Sequence, residues 1–146
     1  MNLHIDGCCI NNGTPEAKAG WGVVVEKEEY FGKIREGKQT NSRAEIEALY
    51  KALEIVLKSE EKTFVIYTDS TNVVDWVTGN SERKSNLDMW KDIEEIINEI
   101  NQQKKKVHIK HVNKKQLPAD NELVIKNKIA DKLANKGAKA LLEELR

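Results

Sequence analysis

Long apolar runs are missing from this chain of 146 residues. No stretch approaches the roughly 20 apolar residues that a membrane helix needs. The opening Met1-Asn2-Leu3-His4-Ile5-Asp6 has none of the layout of a signal peptide. A cytoplasmic protein with no membrane partner is therefore expected. Cysteine is scarce: Cys8 and Cys9 are adjacent, which excludes a disulfide framework. With the histidines they make no zinc site of familiar spacing. An excess of one charge is lacking too, since 24 Lys and Arg balance 24 Asp and Glu. Net charge thus says nothing about partners. Internal repeats and low-complexity segments are also wanting. A chain of this length is expected to form one domain, residues 1–146, with a sizeable core.

What is present is organised around Phe64-Val65-Ile66-Tyr67. A short continuous run of β-branched and aromatic residues suits a central strand buried on both faces. It ends in Thr68-Asp69-Ser70, where a helical pattern begins. In an open α/β sheet the carboxyl ends of strands are where ligands bind. Asp69 is thus either a cap for the next helix or a group for chemistry.

Residues 2–10 read as a first strand, with Leu3, Ile5, Gly7 and Cys9 on one side and His4, Asp6, Cys8 and Ile10 on the other. Asp6 is out of place there, because Asp is depleted in strands and a covered carboxylate needs a partner or a metal ion. Residues 20–25 and 30–34 make a second and third strand. After Thr40-Asn41-Ser42 an apolar stripe of Ala48, Leu49, Ala52, Leu53 and Val56 predicts a helix. Glu47, Lys51, Glu54 and Lys58 are expected on its outer face as two i,i+4 pairs. Glu45 falls on the inner stripe, either serving the helix dipole or aimed into a site. Helices at 71–78 and 86–103 follow, joined by the polar link 81–85 with Arg83 and Lys84. A fifth strand is expected at 107–112, then a loop at 113–121 and a last helix carrying Asp131, which Gly137 is expected to interrupt. The order βββαβααβα implies an α/β fold, a five-stranded mixed sheet flanked by helices.

Asp6, Glu45, Asp69 and Asp131 are the acids that stand out. Brought together they would repel one another, and hard divalent cations would resolve that. Mg²⁺ takes oxygen ligands, and two such ions can serve an in-line phosphoryl displacement. Periodicity alone does not show that the four converge.

The segments IDGCCINNG (5–13), TNSRAEIEAL (40–49), YTDS (67–70), NLDMW (86–90) and NKIADKLAN (127–135) resemble type 1 ribonuclease H, in the family's order and across nearly the whole chain. The resemblance implies the ribonuclease H-like fold. It implies Mg²⁺-dependent hydrolysis of the RNA strand in RNA–DNA hybrids, with Mn²⁺ as the alternative ion, two ions during catalysis, and 5′-phosphate and 3′-hydroxyl ends. By motif, Asp6, Glu45, Asp69 and Asp131 would be the metal-binding catalytic carboxylates. Gly7 and Asn12 would follow the RNA strand, where 2′-hydroxyls distinguish RNA from DNA. Thr40 and Asn41 would meet the DNA strand, and Thr71 would lie near the scissile region.

Three departures accompany the resemblance. Many members carry a His in the loop before the last helix, whereas 113–126 here has none. His111 matches a non-catalytic position, and the role passes to no residue; Asn121 and Glu122 are the polar side chains available. The link at 81–85 is too short for the basic protrusion of many bacterial members. Lys104, Lys105, Lys106, Lys114 and Lys115 form a candidate basic patch in its place, with a solvated strand edge as the plain alternative. Cys8 and Cys9 lie inside the first motif and are expected only to pack. The balanced charge implies weak intrinsic affinity and leaves room for a protein that delivers the hybrid; a monomer is expected. The rival readings are a hybrid-binding domain of little or no activity, a DNA-acting nuclease of the same fold, and a structural module with scattered surface acids.

Overall fold

A computed structural model describes residues 1–82 and 85–140. Arg83 and Lys84 of the short link, and the chain after Ala140, lie outside the described residues. The elements are β1 (Asn2–Ile10), β2 (Lys18–Val25), β3 (Glu28–Lys33), α1 (Asn41–Lys58), β4 (Thr63–Thr68), α2 (Thr71–Thr78), α3 (Leu87–Gln102), β5 (Lys106–His111) and α4 (Glu122–Lys139). The five strands form one mixed sheet in the order β3-β2-β1-β4-β5. β1 is antiparallel to β2 and parallel to β4, and β5 is parallel to β4. Element order and sheet type are those the sequence predicts.

Helices pack on both faces of the sheet, but α4 lies chiefly over β1, β2 and β3. On one, Leu3, Ile5, Val23, Phe64 and Ile66 pack under Ile46, Leu49 and Leu53 of α1 and Met89 and Ile93 of α3. On the other, α4 sets Ala130 and Leu133 against Val24. That helix lies very close to the strands because glycines face it. A Cβ on Gly22 would stand 2.5 Å from the Ala130 carbonyl oxygen. The expected burial of the 64–67 strand on both faces is therefore not met: Phe64 and Ile66 are buried, Val65 and Tyr67 half-buried, and His108 and Lys110 of β5 beside them exposed. Among the described residues, no helix is long and apolar enough to cross a membrane.

Two further expectations fail for packing reasons. Gly137 does not interrupt α4, which runs to Lys139. It serves contact instead: a Cβ there would stand 2.3 Å from the carbonyl oxygen of Gly32 in β3. Glu47 does not face outward with Lys51. It is 3% exposed, and its carboxylate accepts from Arg35 Nε at 3.0 Å and Nη2 at 2.8 Å. Arg35 also pairs with Asp92 of α3. Lys51 bonds Glu54 one turn on, at 3.3 Å.

Candidate functional site

Strand register brings two of the four acids side by side. β1 and β4 pair in parallel through His4↔Tyr67. Two residues further along each chain stand Asp6 and Asp69. Glu45 arrives from the opposite element, α1, and Gly7 is what admits it. A Cβ on Gly7 would lie 2.3 Å from the Ala44 carbonyl carbon and 2.4 Å from the Glu45 nitrogen. Only glycine permits that approach of helix backbone to strand. Thr40 starts α1 by accepting from Arg43 N at 3.1 Å.

Asp131 comes from the other face. Residues 4, 6 and 8 of β1 point toward α4. The Cys8 thiol donates to Asn135 Oδ1 at 3.4 Å, and Asp131 stands near enough to Asp6 to help raise its carboxyl. Positions 131 and 135 are one helical turn apart, so both meet the same strand. Asp131 itself is exposed, yet it reaches a buried partner.

The electrostatics follow from this crowding. Burial, then the charge of Asp69, then the hydrogen bond and charge of Asp131 push the Asp6 carboxyl up to about 9. Gly7 N, donating to Asp6 Oδ1 at 2.9 Å, opposes the rise. Burial likewise raises Glu45, countered by the Ser70 hydroxyl, which donates to Glu45 Oε2 at 2.8 Å; Asp69 adds to the rise. Ser70 has a second task, capping α2 by accepting from Val73 N. Asp69 is engaged by Lys114, whose Nζ lies 3.0 Å from Oδ2. His111 Nε2 donates to the Asp69 carbonyl at 3.2 Å.

The site therefore offers carboxylate oxygens at low local compensation, the donor set a hard divalent cation takes. In that sense the residues fit such an ion. They do not form a closed set: among the described residues, no three His, Cys, Asp or Glu side chains already stand together as a metal-holding group. Glu45 is held by Ser70 and Asp69 by Lys114.

The residues assigned to substrate divide. Asn12, Thr40 and Asn41 share a cleft of about 570 Å³ with Gly13, Lys38 and Gln39. Asn41 N donates to Asn12 Oδ1 at 3.3 Å, and Asn41 Oδ1 accepts from Cys9 N at 2.9 Å. Thr71 is exposed at the start of α2, two residues past Asp69. The basic patch does not hold together. Lys105 is a correction: it is buried, and its ammonium donates to the carbonyls of Val56, Leu57 and Ser59 at 2.9, 2.8 and 2.6 Å. Lys104 and Lys106 are exposed at the start of β5. The strand's length separates them from the carboxylates, roughly 17–20 Å. Lys114 and Lys115 lie at the carboxylate end. The roles of Ser70 as the partner of Glu45 and of Lys114 as the partner of Asp69 carry no pattern in the sequence.

A mixed sheet with helices on both faces and acids converging from β1, α1, β4 and α4 defines a class, and comparison with known proteins supplies the family. The RNase H family model matches residues 1–139. Ribonuclease H1 of Rattus norvegicus is 32% identical over 151 residues, covering 94% of this chain. Ribonuclease H of Ruthia magnifica is 30% identical over 114 residues, covering 68% of this chain and 75% of its own length. The RNase H1 structure from the halophilic archaeon Halobacterium salinarum superposes with a TM-score of 0.67 at 25% identity, covering 93% of this chain and 95% of that one. LC11-RNase H1 in complex with an RNA/DNA hybrid superposes equally well, TM-score 0.67, at 23% identity, covering 94% and 95% of the two chains. The chain belongs to the RNase H family and has the RNase H-like fold. It spans about half the length of the rat and mouse relatives it matches.

Proposed function

We propose that this chain is an endoribonuclease that hydrolyses the RNA strand of RNA–DNA hybrids, leaving 5′-phosphate and 3′-hydroxyl ends. The observation that carries the reading is the crowding of a buried Asp6 by Asp69 and Asp131 in a member of this family: burial first, then those two acids, push its carboxyl up to about 9. Carboxylates that crowd one another in this way are relieved by a bound cation.

Asp6, Glu45, Asp69 and Asp131 would hold Mg²⁺, or Mn²⁺ in its place. When bound, two such ions supply the charge that stabilises attacking and leaving oxygens of an in-line phosphoryl displacement. The chain's own residues set the frame. Gly7 lets α1 close on β1, and the Ser70 hydroxyl turns Glu45 toward the site. The cleft with Asn12, Thr40 and Asn41 is the proposed seat of the hybrid's two backbones, and Thr71 flanks the scissile phosphate. Support for hybrid as substrate comes from the relatives named ribonuclease H and from the fold shared with LC11-RNase H1, which was solved with an RNA/DNA hybrid.

The test is cleavage of a labelled hybrid in Mg²⁺ or Mn²⁺ beside RNA–RNA and DNA–DNA duplexes. Cutting is expected only in the RNA of the hybrid, falling roughly 10²-fold or more in Asp6→Asn and Asp69→Asn. A chain that binds hybrid but cuts it in neither ion would instead be a binding module.

A further inference from the structure

The loop between β5 and α4 has no histidine, yet it delivers a charge to the site. Lys114 Nζ lies 3.0 Å from Asp69 Oδ2. Among the described residues, no other lysine, arginine or histidine forms an ion pair with any of the four carboxylates. One ammonium therefore compensates the carboxylates gathered at this end of the sheet.

The pairing is built to exchange. The Lys114 side chain is 43% exposed and that of Asp69 is 22% exposed. Water solvates the ammonium when it leaves, and its four-carbon stem springs from an exposed stretch, residues 114–116. An ammonium and a divalent cation both seek the Asp69 oxygens, and the divalent ion carries twice the charge. Lys105 is the counter-example within the same fold: buried, and held by three carbonyls, it has nowhere to go.

We propose that Lys114 is the resident counter-ion of the carboxylate site. It holds Asp69 in the metal-free protein and yields its place when a divalent cation binds, so it lowers metal affinity. The inference rests on the reading of these carboxylates as metal ligands. Because it concerns binding, it is tested without substrate.

Mn²⁺ is titrated by calorimetry into EDTA-stripped wild type, Lys114→Met and Lys114→Arg, with no nucleic acid present. Lys114→Met is expected to bind Mn²⁺ roughly three- to tenfold more tightly, the coupling of a half-exposed ion pair to a shared ligand. Lys114→Arg keeps the charge and should stay within about twofold of wild type. The rise in Tm on adding Mn²⁺ should be larger in Lys114→Met than in wild type. Equal or weaker Mn²⁺ binding by Lys114→Met overturns the counter-ion role and leaves the metal reading standing. Absence of binding in all three proteins overturns the metal reading and this inference together.

Discussion

Lys105 and Lys114 stand at opposite ends of the β4–β5 edge, and both set an ammonium against oxygen. Lys105 donates to three carbonyls at the C-terminal end of α1, where helix carbonyls outnumber backbone donors. Lys114 meets a carboxylate in an open loop. The first charge is fixed by geometry and burial; the second is held by attraction alone. Arg35 belongs with the first kind, since its guanidinium spans Glu47 and Asp92 and ties α1 to α3. The difference separates charges that stabilise this fold from charges that its site can exchange.

The comparison breaks first at Arg35. Replacing it by Ala leaves Glu47 buried and unpaired, which is expected to cost about 3 kcal/mol. Urea denaturation reads that loss, and Mn²⁺ affinity should be unchanged. Lys105→Met strips the donor from three carbonyls and is expected to cost about 1–3 kcal/mol, again with no change in Mn²⁺ affinity. A shift in metal binding in either variant would show that the two kinds of charge are not separate.

Next in size is a pH effect at the exchangeable end. Burial, then the charge of Asp69, pushes the Asp6 carboxyl up to about 9 in the folded chain, against about 4 for an unfolded Asp. Between those values the folded protein keeps a proton that the unfolded chain has lost. Stability from this group is therefore complete below about pH 4 and declines as pH rises toward 9. Asp6→Asn removes the dependence. In EDTA, the Tm of wild type relative to Asp6→Asn should fall steadily, by several degrees, between pH 5 and pH 8. A constant difference would mean that Asp6 is ionised throughout.

The sequence shows most clearly what chain order and periodicity encode. The stripe on α1 sets which face is buried, and the parallel alignment of β1 with β4 brings Asp6 beside Asp69. Asp131 was visible only through its motif, because its own position on α4 is exposed. What escapes is interaction across elements. Glu47 reads as an outer-face partner of Lys51, since nothing local announces that Arg35 arrives from the segment after β3. Lys105 has the same neighbours in sequence as Lys104 and Lys106, but only its side chain lies under the end of α1. Gly137 has the composition of a helix stop and the task of a contact with Gly32. Ser70 reads as a cap, which it is; its bond to Glu45 depends on α1 docking at that point.

The smallest effects test the basic patch that the structure divides. Lys104 and Lys106 sit at the far end of β5, whereas Lys115 adjoins the carboxylate end. Each phosphate contact removed should lower the salt dependence of hybrid binding by about one unit of slope. Lys115→Glu is expected to raise the KM for hybrid several-fold, about three- to tenfold at low salt, and to flatten its salt dependence. Lys104→Glu and Lys106→Glu should change KM less than about twofold, because at ~17–20 Å they lie beyond a Debye length of roughly 8–10 Å. Equal effects at both ends would mean that bound hybrid runs the whole length of β5, and the division drawn between the lysines would then hold for metal binding but not for substrate.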